Sequence, residues 1–222
     1  MTRYPVHVEA HRDEQLSRWL WLVKWLLLIP HVVILAFLWL GLIVATLVAY
    51  LAVLFTGRYP AGLRAYNLGV LRWSWRVGYY GYYALGTDRY PPFTLAEVPD
   101  YPARLAVEES APPPRWLPLV AWLFAIPHGL LLGALAGAGT HHYDDTSVTA
   151  RPVSFVSLVL LVVVVSLLFT GRYPQGLYDL LVGIARWNFR VAAYLTLLTT
   201  VYPPFRLDQG EHEPGEAADP AG

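Results

Sequence analysis

Two near-copies of one string occur in this 222-residue chain, LFTGRYPAGL at Leu54 to Leu63 and LFTGRYPQGL at Leu168 to Leu177. From Leu54 to Val77, 14 of 24 positions match the residue 114 places later; from Arg18 to His31, 10 of 14 match at an offset of 97. Each copy begins with Tyr-Pro (Tyr4-Pro5, Tyr101-Pro102) and ends in Tyr-Pro-Pro-Phe (Tyr90 to Phe93, Tyr202 to Phe205). A duplication this close constrains the fold strongly. Whatever unit one copy builds, the other builds from the same parts, and site hypotheses come in symmetric pairs.

The solvent for that unit is read from its apolar content. Hydrophobic residues make up 56% of the chain and charged residues 14%, with nine Trp and fifteen Tyr, more apolar surface than a soluble domain of this size hides easily. Trp19 to Phe55 is broken only by Lys24 and His31, Trp116 to Ala138 only by His128, and Val153 to Phe169 by nothing ionisable. A crossing takes roughly 20 apolar residues for a hydrocarbon core of ~30 Å, so the second copy has room for two spans around the polar stretch 139–152. By analogy the first copy is expected to fold back near Phe37 to Gly41. As one straight helix, the run would reach about 55 Å at ~1.5 Å per residue. The competing reading is a surface helix up to Pro30 followed by one long span from His31 to Phe55. The first eighteen residues are polar and mixed in charge, which predicts a retained anchor rather than a cleaved leader.

Gly-Arg-Tyr-Pro has the chemistry of a helix end. Gly57 or Gly171 suits a left-handed cap, and Pro60 or Pro174 suits the start of the next helix. Arg58 and Arg172, each beside a tyrosine, are expected at headgroup level. In the following helices, Arg72 and Arg76, and likewise Arg186 and Arg190, are four apart and share a face flanked by Trp73 and Trp75 or Trp187 and Phe189. That pattern predicts an interfacial helix offering six arginines (Arg58, Arg72, Arg76, Arg172, Arg186, Arg190) to lipid phosphates. Such a helix could instead be a third membrane helix with its arginines buried against partners such as Asp179. The shared corner sequence favours parallel copies with both corners on one side. Inverted copies follow if these helices cross.

Ile-Pro-His recurs at Ile29 to His31 and Ile126 to His128, so His31 and His128 are the intramembrane polar candidates. Paired imidazoles would suit proton relay or haem ligation. The structural alternative is a histidine at a proline kink, donating to a carbonyl that Pro30 or Pro127 frees. Lys24, with Ala121 in its twin position, is expected to snorkel. The cluster His141 to Asp145 is read as a solvated loop, because four side chains within five positions do not converge on one ion without an unusual turn. No cysteine is present, so disulfides and thiol chemistry are excluded, and a net charge of zero argues against nucleic acid. No nucleotide loop, HExxH or GxSxG is found. Short alternating strings at Val6 to Val8 and Arg104 to Val107 would suit a small two-stranded sheet.

Taken together, Tyr-Pro, RWLxLVKW, Ile-Pro-His, LFTGRYPxGL, RWxxRV and YPPF resemble a family of bacterial integral membrane proteins known only as a domain of unknown function (4389). The resemblance runs from Tyr4 to Phe205 and implies a duplicated module in a bacterial cytoplasmic membrane. It implies no activity and no cofactor. The expected fold is an all-α, multi-pass membrane protein of two tandem repeats, each a transmembrane helical hairpin followed by an Arg/Trp-rich interfacial (or third membrane) helix. The division is 1–98 for the first repeat, 99–114 for a proline-rich linker and the start of the second repeat, 115–208 for the second repeat, and 209–222 for a disordered acidic tail. The expected role is non-catalytic, without cofactor or metal: an accessory or structural subunit of a membrane complex, or a lipid-interacting scaffold. Its partners would be membrane lipids and a larger complex or a homo-oligomer. A small transporter or channel is the alternative, and a haem- or proton-handling protein the third reading.

Overall fold

The computed structural model describes residues 4–13, 16–108, 111–137, 154–208 and 210. The chain runs through β1 (Val6–Ala10), α1 (Trp21–Thr56), α2 (Ala61–Tyr80), β2 (Ala103–Val107), α3 (Leu117–Leu135), α4 (Phe155–Thr170) and α5 (Gln175–Leu195). It is mostly helical, and α1 and α3 are long and apolar enough to cross a membrane. The His141 to Asp145 loop and the tail from 211 lie outside the described residues.

The expected fold-back in the first copy is absent, and α1 runs through Phe37 to Gly41 as one helix of 36 residues, including Pro30. The physical reason is local. This stretch has no polar turn residues, and an apolar turn would leave backbone groups without partners, which a continuing helix satisfies for free. Gly41 serves a close approach instead: a Cβ there would fall 2.2 Å from the Tyr66 hydroxyl of α2, which donates to the Leu38 carbonyl at 2.9 Å. One seam of α1 is buried, at Lys24, Leu28, His31, Leu35, Leu42, Ala45, Ala49 and Val53. The three-to-four spacing of that seam is that of a helix packed along a neighbour, and α2 packs back along it.

The second copy breaks the same rod. Residues of α3 match α1 at an offset of 97 and those of α4 at 114, so 17 residues are inserted between the two halves. Helix ends are as the motif foretold. Gly57 and Gly171 are left-handed caps at φ 70° and 68°, their N–H groups donating to Val53 and Leu167 carbonyls. Pro60 and Pro174 cap the helices that follow.

β1 and β2 pair antiparallel, as their alternation suggested, with Val8 opposite Leu105. The main core lies between this sheet and α2 and α5. Trp75 is fully buried there, donates to the Glu9 carbonyl at 3.1 Å and meets Phe189 edge-on at 5.4 Å. Two of these contacts join equivalent residues, since Val8 and Leu105 match at the 97 offset and Trp75 and Phe189 at 114.

Candidate functional site

The recurring strings assemble into two kinds of cluster. The first joins three motifs of a single copy. Trp73 on α2 donates its indole N–H to His31 Nδ1 on α1 at 3.1 Å, and Phe93 stacks on the imidazole at 3.9 Å. Tyr90 closes the side at 4.9 Å and donates to the Leu27 carbonyl. The second copy repeats the cluster: Trp187 to His128 Nδ1 at 2.9 Å, Phe205 stacked at 3.9 Å, Tyr202 at 5.1 Å and donating to the Phe124 carbonyl. Because Nδ1 accepts, each neutral ring carries its proton on Nε2. Both histidines are fully buried, and neither Nε2 has a hydrogen-bond partner. The imidazoles do not donate to a freed carbonyl; near each helix proline the tyrosine takes a neighbouring carbonyl instead. Each ring is sealed in its own aromatic box.

The second kind of cluster joins the copies. Tyr59 donates to the Thr196 carbonyl at 2.8 Å, and its twin Tyr173 to the Ala84 carbonyl at 2.6 Å. Burial holds both hydroxyls above the ordinary value of 10.0, so both are donors at neutral pH. Any stability this lends is complete below pH 10 and declines as pH rises through the raised values. Tyr4 reaches the Val201 carbonyl and Tyr101 the Arg89 carbonyl, each at 3.0 Å. Every one of these bonds runs from one copy to the other.

The six candidate arginines divide. Arg58 and Arg172 are exposed at their corners, where Thr56 and Thr170 accept from their backbone N–H groups at 3.2 and 3.1 Å. The other four point inward. Arg72 donates to the Leu105 carbonyl at 3.0 Å and pairs with Glu97 at 2.9 Å; Arg186 donates to the Val8 carbonyl at 2.8 Å and to Asp208 and Gly210 carbonyls. Arg76 holds the Ala96 carbonyl at 2.9 Å and that of Thr94, while Arg190 pairs with the buried Asp208 carboxylate. Arg76, Arg186 and Arg190 are buried. Asp179 is not their partner, since it accepts from Gln175 at 2.9 Å. Lys24 does not snorkel: it is buried, donates to the Thr87 carbonyl at 2.7 Å, pairs with Asp88 at 3.0 Å and lies over the Tyr80 ring.

Two arginines that the motif reading passed over complete the corners. A Cβ on Gly171 would fall 2.6 Å from Arg18 Nη2, and one on Gly57 would fall 3.1 Å from Arg115 Nε. Arg18 and Arg115 match at the 97 offset, so each lies against the other copy's corner glycine, and both are exposed. Shallow clefts of about 260 and 430 Å³ open there, the first lined by Arg12, Asp13 and Arg172, the second by Arg58 and Arg64. The signal for Arg18 and Arg115 was present in the shared RWL string, but nothing in a string reveals that it docks on its neighbour's turn.

A family profile described as a domain of unknown function (DUF4389) matches residues 18–94 and 152–206. No curated protein and no solved structure matches the chain.

Proposed function

We propose, for a chain that belongs to the DUF4389 family, a non-catalytic scaffold of two tandem repeats embedded in the bacterial cytoplasmic membrane, engaging lipid and serving as an accessory subunit of a larger membrane complex or as a homo-oligomer. The observation that carries this reading is the outer face of α1, α3 and α4. From Trp21 to Phe55, from Leu117 to Leu135 and from Phe155 to Phe169, no exposed side chain is charged. The face includes Phe55 at 74% exposure, Phe169 at 78% and Leu130 at 70%, a contiguous apolar surface far beyond what water tolerates on a monomer.

Other features fit a scaffold better than a conduit or an enzyme. Lys24, Arg72, Arg76, Arg186 and Arg190 of the helices are tied to carbonyls or carboxylates within the chain, a use that stiffens a structure rather than turning over a substrate. His31 and His128 sit in separate sealed boxes, which is poor geometry for a transport path and for a shared haem.

Alkaline carbonate washing of native membranes tests the embedding, with the protein expected to stay in the pellet. Extraction in mild detergent, followed by particle weighing and identification of all co-purifying molecules, tests the scaffold role. A stoichiometric protein partner or a self-assembled particle with bound lipid agrees with it. A particle that moves a solute across proteoliposomes, with flux lost in His31→Ala and His128→Ala but fold intact, overturns it in favour of transport.

A further inference from the structure

We infer that the chain sits in one leaflet, with α1 and the α3–α4 rod lying along the membrane and the two-stranded sheet in water on the side from which it entered. This deepens the membrane reading above and rests on it.

Gly57 ends α1, and Arg18, just before the start of α1, lies against Gly171. The two corners therefore stand at opposite ends of a helix about 54 Å long at ~1.5 Å per residue. The contacts between equivalent residues, Val8 with Leu105 and Trp75 with Phe189, put a local twofold axis through the sheet and between α2 and α5. That axis passes beside α1 near its middle. Trp39, the central residue of α1, donates its indole N–H to Ser74 at 3.0 Å, and the adjacent Trp75 holds β1 through the Glu9 carbonyl.

A crossing α1 would thus carry the sheet to the centre of the bilayer. On and beside that sheet, Arg72 of α2 pairs with Glu97 at 2.9 Å, and Arg104 of β2 pairs with Glu97 and with Glu9 of β1 at 3.4 Å each. Glu97 and Arg104 are 41% and 39% exposed. Each charge at that depth costs roughly 2.5–3.5 kcal/mol on insertion scales, and a two-stranded sheet there would present edges to hydrocarbon. A helix of about 54 Å is also far longer than the ~30 Å core requires.

Laid flat, the same features agree with one another. The apolar face of the rods meets acyl chains. The sheet rises into water from the opposite side of α2 and α5. Both corners then lie at one level, each with two exposed arginines, Arg58 with Arg115 and Arg18 with Arg172, where lipid phosphates are. The matching corner sequences thereby share one environment, which a crossing α1 would deny them.

The chain has no cysteine, so single-cysteine variants report cleanly. Ala61→Cys and Gln175→Cys mark equivalent exposed positions just past the two corners, and Asp100→Cys marks the exposed segment leading into β2. In sealed inside-out vesicles and in intact cells, a membrane-impermeant maleimide is applied from each side, and a parallel vesicle sample is washed with alkaline carbonate. The expected result is labelling of all three from the same side, each more than tenfold over the other side. Ala61→Cys and Gln175→Cys labelled from opposite sides would show that α1 crosses, and would overturn the in-plane arrangement while leaving the membrane reading intact. Loss of the protein from the vesicles in the carbonate wash would overturn both.

Discussion

The two copies agree in their clusters and differ in their rods. The histidine box is the same in both to within about 0.2 Å in its indole bond and in its ring stacking, and the tyrosine bonds that cross between copies are matched pair for pair. The first rod, however, is continuous, whereas the second is divided into α3 and α4 by an insertion of 17 residues relative to the first. The lesson is that the shared strings encode locks rather than lengths. A helix facing only acyl chains on its outer side can be interrupted, provided that both halves keep their seams against α5 and their ends against the other copy. A box whose members come from three separate segments cannot drift without losing a buried hydrogen bond.

The charged cores provide the sharpest way to break the comparison. Arg76 and Arg190 are twins, but the first serves carbonyls and the second serves the carboxylate of Asp208, at the position that Ala96 holds in the first copy. Arg190→Leu strands a buried anion that, among the described residues, only the half-exposed Arg206 still pairs with, at 3.0 Å. It is expected to destabilise by about 3–5 kcal/mol, whereas Arg76→Leu, which strands neutral carbonyls, should cost about 1–3 kcal/mol. Adding Asp208→Ala to Arg190→Leu should recover a large part of the loss. Reversible unfolding of detergent-solubilised protein measures all three, and equal costs for the two arginines would show that the carboxylate does not distinguish the copies.

Lys24 and Asp88 differ from the second copy together, their twins being Ala121 and Thr200. Asp88→Thr removes the paired anion from a buried ammonium that keeps the Thr87 carbonyl, the Tyr80 ring and the more distant Asp13 carboxylate, a loss of about 2–4 kcal/mol. Lys24→Ala leaves a carboxylate that water still reaches and should cost about 1–3 kcal/mol. The double variant should cost less than the sum by at least about 1 kcal/mol, because it installs the second copy's solution in the first. Strict additivity in the same unfolding assay would mean that the pair is a coincidence of two independent changes.

Much of this architecture was legible beforehand because it depends on local chemistry. Left-handed glycines at 57 and 171, prolines opening α2 and α5, the separate apolar segments of the second copy and the pairing of two short strands all follow from the residues at those positions. What was not legible depends on partners that leave no mark in a string. The first rod is apolar all round, so its pattern cannot say whether it bends, and analogy with a copy that carries an insertion suggested a hairpin that is not there. Arginine between tryptophans has one signature whether it faces phosphate or a buried carbonyl. For Arg72 and Arg186 the partners are the Leu105 and Val8 carbonyls of the other copy's strand, and a carbonyl belongs to every residue type. Lys24 found Asp88 by tertiary contact, 64 residues away, which no helical spacing anticipates.

The smallest effect is also the strictest test of equivalence. Trp73→Phe and Trp187→Phe each keep an aromatic wall beside the imidazole but remove the donor to Nδ1. A buried acceptor is left without a partner, so each should lose about 1–2 kcal/mol, and the two losses should agree within about 0.5 kcal/mol if the boxes are equal members of one design. The variants also free the imidazole to exchange tautomers, a change that nitrogen chemical shifts of selectively labelled histidine read directly. A box that keeps its Nε2–H tautomer and its stability without the indole would show that stacking on Phe93 or Phe205, and not the hydrogen bond, holds the ring. The recurrence of tryptophan at both positions would then reflect its size alone.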